Sequence, residues 1–124
     1  MDCEEYQRKA ERTSPWKGRV FDPSKPQAHT DVVAARERII AAAMGLAGES
    51  GEFCDGLKKM LFHEHAFDRM ALSEELGDVA WYLAEAASAL GLDLGAIFVE
   101  QQQKARERYP DGWSAERSKN RGKP

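Results

Sequence analysis

The sequence is short of several things, and each shortage narrows the reading. Cysteine is scarce: Cys3 and Cys54 are the two in 124 residues, without CxxC spacing. Two free thiols fit a reducing cytoplasm, although counting alone leaves one disulfide open. No apolar run approaches the ~20 residues that a membrane span needs. The opening MDCEEYQRKAER is charged throughout, so it is not expected to act as a secretory signal. Positive charge is not in excess. The net charge of −3 argues against a general binder of nucleic-acid polymers. There is no alternating strand pattern and no internal repeat. No GxxxxGK[ST] occurs, and no GxGxxG follows a strand, so phosphate-binding loops of those types are excluded. Nor does any Ser-His-Asp or Cys-His arrangement suggest nucleophilic catalysis. Cys54 falls beside an apolar helix stripe and is expected in the core.

Hydrophobic residues make up 42% of the chain and charged residues 31%. That supports a single domain over 1–124, with a core about 31–109 and a basic tail over 110–124. The charges are unevenly placed. Residues 104–124 carry seven Lys/Arg against three Asp/Glu, and residues 49–78 carry eight acids against three bases. Ordinary scatter can produce this pattern. A divalent cation in the middle and an anionic ligand reaching the tail would also produce it.

The periodicity predicts an all-α chain, most simply a four-helix bundle with two long antiparallel central helices. The first helix covers 2–13 with Asp2 as its cap, and Ser14-Pro15 ends it. Residues 15–30, with three prolines, form a loop. Thr30 or Asp31 caps a second helix running to about Phe62. After a turn at 63–67, Asp68 starts a third helix that reaches Leu90 and stops at Gly91. Asp93 caps a fourth, which ends at Tyr109 before Pro110. Asp111-Gly112 is a turn, and the tail from Lys119 is expected to fray.

Two carboxylate pairs carry the chemistry. Glu49 and Glu52 are three residues apart on helix two, and Glu75 and Asp78 are three apart on helix three. That spacing puts each pair on one face. Alone, E-x-x-E is a weak signal, because solvated helices are full of it. The placement says more. The apolar stripe of helix two runs through Val32, Ile39, Ala43, Leu46, Phe53, Leu57 and Leu61. That of helix three runs through Leu72, Leu76, Val79, Leu83, Ala86 and Leu90. Each acid pair flanks its stripe in the same rotational sense, so antiparallel packing makes all four converge. Glu52 and Asp78 come out level, each thirteen residues from position 65. Four converging carboxylates repel one another unless a hard cation neutralises them. Oxygen-only ligands favour Mg²⁺, with Mn²⁺ as a substitute. A di-iron bundle needs E-x-x-H pairs, and none is present. His63 and His65 fall in the turn.

Lys59 lies on nearly the same face as Glu52. Lys104 and Arg108, four apart on helix four, can form one clamp. Each is equally at home as a solvated surface charge. Gly45, Gly48, Gly51 and Gly56 on helix two point either to close helix packing or to room for a ligand, and both can hold. Helix three has a second apolar side, with Gly77, Trp81, Ala84 and Ser88. It suggests a subunit interface or a base-binding wall, and hence a homo-oligomer.

These residues resemble the MazG-like all-α nucleoside triphosphate pyrophosphohydrolases, a superfamily that also contains dimeric dUTPases, dCTPases and phosphoribosyl-ATP pyrophosphohydrolase. GLAGESGE (45–52) followed by EELGDVAWYL (74–83) is similar to that family's ExxE…ExxD signature. KKMLFH (58–63) and KARERYPDGWSAERSKNR (104–121) resemble its flanking segments, and the likeness covers roughly residues 4–121.

The resemblance implies hydrolysis of a nucleoside triphosphate to monophosphate and pyrophosphate, on deoxynucleotides in pool sanitation or recycling. It implies that Glu49, Glu52, Glu75 and Asp78 hold Mg²⁺, or that one of the glutamates orients the attacking water instead. It implies phosphate contacts from Lys59, Lys104, Arg108 and Arg121. Trp81 and Tyr82 match positions near the nucleotide pocket or the subunit interface. Gln101 stands where relatives often carry an asparagine, which leaves base and sugar preference open. The expected partners are the nucleotide and a second copy in a homodimer or homotetramer, with no nucleic-acid polymer and no membrane. The expected location is the cytoplasm. Two alternatives remain: a same-fold enzyme with another substrate such as phosphoribosyl-ATP, and a non-catalytic helical protein that binds metal or nucleotide.

Overall fold

The computed structural model describes residues 1–122. Its elements are helices α1 (Cys3–Thr13), α2 (Thr30–Phe62), α3 (Arg69–Ala89), α4 (Leu94–Arg108) and α5 (Ala115–Lys119). The all-α reading and the long antiparallel pair are both present. The fifth helix was not expected. No single described helix is long and apolar enough to cross a membrane.

Local chemistry sets the helix ends. Asp2 Oδ1 accepts from Glu5 N at 2.8 Å, Asp68 Oδ1 from Ala71 N at 3.0 Å, and Asp93 Oδ1 from Ala96 N at 3.1 Å. Each satisfies an amide that the first turn leaves unpaired. The cap of α2 differs from expectation: it is His29, whose Nδ1 accepts from Asp31 N at 3.1 Å. Asp31 is thereby free to pair with Lys25 at 2.7 Å. Gly91 adopts φ 70° and ends α3 as expected. Ser114 caps the short α5.

Two packings build the domain. The pair α2–α3 is the larger. On its other side α3 receives α1 and the start of α4, around Ala10, Ala84, Ala87 and Leu94. Tyr6, Trp81, Leu83 and Ile97 pack against that cluster. Alanines at the contact let the helix backbones approach closely, as ridge-into-groove packing requires. Gln7 latches the corner. Its Nε2 donates to Leu92 O at 2.8 Å, and its Oε1 accepts from Leu94 N at 2.8 Å. The second apolar side of α3 is therefore covered from within the chain. Trp81 Nε1 donates to Thr13 Oγ1 at 2.8 Å, and Ser88 Oγ accepts from Gln7 Nε2 at 3.2 Å. Gly77, on the same side of α3, stays exposed with open space beside it.

Helix α4 leaves α3 at 105°. Its first turns touch α1 and α3, and most of its second half is exposed. Several stripe positions are also exposed: Ala43 and Leu61 on α2, Leu76 and Leu90 on α3. Cys54 is exposed as well, not in the core, and both cysteines are free.

A buried ionic knot joins four segments. Arg38 of α2 is 0% exposed and Glu85 of α3 is 3% exposed. Arg38 Nε donates to Glu85 Oε1 at 2.7 Å and its Nη1 to Arg19 O at 3.0 Å, while Nη2 donates to Glu11. Ser14 Oγ donates to Glu85 Oε1 at 2.6 Å. Full pairing is what makes such burial tolerable. The knot ties α1 and the 14–21 loop to the pair that carries the acids.

Candidate active site

The register of α2 on α3 decides which acids meet. A side chain built on Gly45 would run into the Tyr82 ring, and one built on Gly56 would rest 3.6 Å from Leu72 Cδ2. The hairpin therefore folds about residue 64. Glu64 is the one described non-glycine residue at positive φ, 60°. That centre is one residue earlier than the sequence reading placed it. Glu49 is level with Asp78 and Glu52 with Glu75, instead of Glu52 with Asp78.

Glu49, Glu75 and Asp78 each bring a carboxylate oxygen within 4.8 Å of the others. Glu49 and Glu75 are half-buried and Asp78 is exposed, so the trio opens to solvent on one side. Glu52 lies outside the trio, yet its charge acts on Glu75. Desolvation against the helix pair is the largest influence on Glu75. The charges of Glu49, Glu52 and Asp78 and a hydrogen bond with Glu49 add to it, and its pKa is raised above the ordinary carboxylate value. The charges of the other three predicted acids thus all reach Glu75. Hard oxygen donors at this spacing, with negative charge in surplus, fit a divalent cation of the Mg²⁺ or Mn²⁺ kind.

The glycines divide by role. Gly45 is a close-packing position. Gly48, Gly51 and Gly77, the chain neighbours of Glu49, Glu52 and Asp78, would carry a side chain into open space. The acids are therefore flanked by uncluttered backbone.

The basic residues sit apart. Lys59 is on α2 beyond Glu52, and Asp55 holds its ammonium at 2.9 Å. That bond, with the charges of Asp55 and Glu52, raises its pKa. Lys104 is exposed on α4, 3.5 Å from Glu100. Arg108 ends α4, and Arg121 lies in the turn after α5. Among the described residues, no hydrogen bond or ion pair links Lys104, Arg108 or Arg121 to the acids. Gln101 is exposed on α4 and accepts from Gln102 Nε2 at 3.0 Å. Trp81 is held in the α1–α3 packing. Tyr82 lies edge-on to it, with centroids 5.0 Å apart, and faces Gly45. Beside Tyr82 is a cavity of about 110 Å³ lined by Pro15, Trp16, Ala41, Ala42, Trp81 and Glu85.

Sequence reasoning missed two features. Burial of Tyr6 of α1, and after it the charge of Asp78, raises its phenol pKa. The Arg38–Glu85 pair was also missed. Its only signal was two charges at stripe-like positions, and nothing in spacing distinguishes those from solvated ones.

Comparison with known proteins agrees with this geometry. A family model described as MazG nucleotide pyrophosphohydrolase domain matches residues 39–113, which include all four acids. Among curated proteins the chain is similar to the Gene 37 protein of Mycobacterium phage L5. The two are 34% identical over 80 residues, 61% of this chain and 70% of the relative. No solved structure gives a significant match.

Proposed function

Because the chain belongs to the MazG nucleotide pyrophosphohydrolase family, hydrolases of acid anhydrides, we propose that it cleaves deoxynucleoside triphosphates with Mg²⁺ as cofactor. Water and the triphosphate would give the monophosphate and pyrophosphate, in nucleotide-pool sanitation or recycling. One observation carries the reading: Glu49, Glu75 and Asp78 meet within 4.8 Å, with Glu52 acting on the same point.

The family is generally dependent on a divalent metal. A bound divalent cation supplies charge neutralisation for the phosphates and activation of water. The chain's own groups do the rest. Glu49, Glu75 and Asp78, with Glu52 beside them, would hold the cation. A glutamate of the set not fully engaged in that task accepts the proton of the attacking water. Lys59, Lys104, Arg108 and Arg121 stabilise the leaving pyrophosphate by charge-assisted hydrogen bonds. Tyr82 and Gln101 stand on the nucleotide side or at a subunit contact. Trp81 backs Tyr82.

A second copy completes the assembly, as a homodimer or homotetramer. Ile40 and Met44, one turn apart on α2, are 59% and 70% exposed, and Leu76 of α3 is also exposed. Burying this much apolar surface favours self-association. The same association would let the projecting half of α4 bring Lys104 and Arg108 towards a neighbour's acids. Two free thiols are consistent with a cytoplasmic location.

The test is product analysis on a panel of dNTPs and NTPs with Mg²⁺. Equimolar monophosphate and pyrophosphate, fastest from a deoxynucleotide, is the expected result. Release of orthophosphate, or preference for ribonucleotides, would count against it.

A further inference from the structure

Of the four glycines on α2, Gly45 alone has a neighbour that forbids a side chain. A methyl group there would overlap Cδ1, Cε1 and Cζ of Tyr82, whereas Gly56 has an ordinary contact and Gly48 and Gly51 have open space. The Tyr82 ring thus rests directly on the α2 backbone. Glu49 stands one helical turn from Gly45, and Asp78 one turn from Tyr82, on the same side of the contact. The ring also packs T-shaped with Trp81, at an interplanar angle of 85°. Trp81 is anchored to α1 through Thr13. The cavity of about 110 Å³ that Tyr82 and Trp81 line is the open space beside the ring.

We propose that Gly45 and Tyr82 form a spacer that sets the gap between α2 and α3 at the acid trio, making both positioning residues for the cation. This rests on the reading of Glu49, Glu75 and Asp78 as the cation's ligands. Tyr82 then acts through Glu49 and Asp78 and touches neither the cation nor the reacting atoms. A methyl group at Gly45 must push the ring off by about 1 Å or more to reach normal carbon–carbon separation. A ring that stays against Trp81 passes the displacement to α3, which carries Glu75 and Asp78 from Glu49, whereas a ring that swings into the neighbouring cavity leaves Mn²⁺ affinity at the wild-type value. Ligand distances tolerate only about 0.2 Å of error, so the displacement is several times what the site accepts.

The experiment is Mn²⁺ binding, followed by paramagnetic resonance of the free ion on the full chain. Gly45→Ala is expected to weaken Mn²⁺ binding at least tenfold, with helix content and cooperative unfolding retained. Gly56→Ala, the same change on the same helix against the same partner, is expected to stay within about twofold of wild type. Tyr82→Phe keeps the ring and is expected to keep the affinity, while Tyr82→Ala removes the ring without a clash and loses it. This pair decides the matter if Gly45→Ala does not fold. Wild-type affinity in Gly45→Ala, a loss no larger than that of Gly56→Ala, or equal affinities for Tyr82→Ala and Tyr82→Phe would each overturn the spacer. Failure of the ligand assignment looks different: Asp78→Asn and Glu49→Gln would then bind Mn²⁺ like wild type, and the spacer would fall with it.

Discussion

Replacing Arg38 with methionine tests how the domain holds its acid-bearing helices. Arg38 is fully buried, and it donates to Glu85, to Glu11 and to the carbonyl of Arg19. Arg38→Met preserves much of the packed stem and removes every one of those donors. Glu85, 3% exposed, then keeps only the Ser14 hydroxyl. Breaking a buried pair by removing one partner costs ~3–5 kcal/mol, because the remaining charge is uncompensated. For a chain of this length each kcal/mol lowers the melting temperature by about 4 °C. The expected loss is therefore about 12–20 °C by circular dichroism. Arg38→Met combined with Glu85→Leu is expected to recover most of the loss, as buried ion pairs are often replaceable by apolar groups. A drop of less than 4 °C in the single variant, or a double variant no better than the single, would refute the reasoning.

Three further expectations follow from other parts of the molecule. Burial acts to raise the Glu11 pKa, but hydrogen bonds from Arg38 and the Gly18 amide outweigh it and the pKa is lowered. Glu11 thus contributes stability above the ordinary glutamate value of about 4.3, lost as pH falls through its lower folded value. Glu11→Gln should be destabilised at pH 7 and converge on wild type in acid denaturation as pH falls through the lowered Glu11 value. Lys104→Ala and Arg108→Ala, both exposed, should leave the melting temperature within about 2 °C and raise KM for the triphosphate about tenfold or more. An unchanged KM would remove them from the phosphate site. Met44→Glu should shift the light-scattering mass from oligomer to protomer while helix content is retained, since Met44 is 70% exposed in a single chain. An oligomer of unchanged mass would place the contact elsewhere.

Much of this architecture was readable in the sequence wherever a local signal had one meaning. Asp2, Asp68 and Asp93 precede apolar-periodic runs, and each caps a helix. Gly91 and Pro110 end helices for reasons intrinsic to those residues. His29 was not readable as a cap, because an imidazole accepting from a backbone amide competes with the stronger-looking Thr30 and Asp31 beside it. The five-residue α5 is too short to show a period. The four acids were legible through their i, i+3 spacing and shared flank. Their levels were not, because register is set by side-chain contacts such as Gly45 with Tyr82 and not by the midpoint of a turn. The second apolar side of α3 was recognised, but not that α1 packs on it: the sequence reading offered a subunit interface or a base-binding wall. Charges at buried positions were the hardest to read. Arg38 and Glu85 look like surface residues until a partner 47 positions away is known.

The most direct test of the central claim is pyrophosphate release from a deoxynucleoside triphosphate by wild type, Asp78→Asn and Glu52→Gln, in Mg²⁺ and in EDTA. The account predicts turnover by wild type in Mg²⁺ and none in EDTA. It predicts a loss of at least ~100-fold in both variants, with melting curves that still show a cooperative fold. Full activity in either variant, or wild-type turnover that survives EDTA, would contradict the assignment of the acids between α2 and α3 as the site of the chemistry.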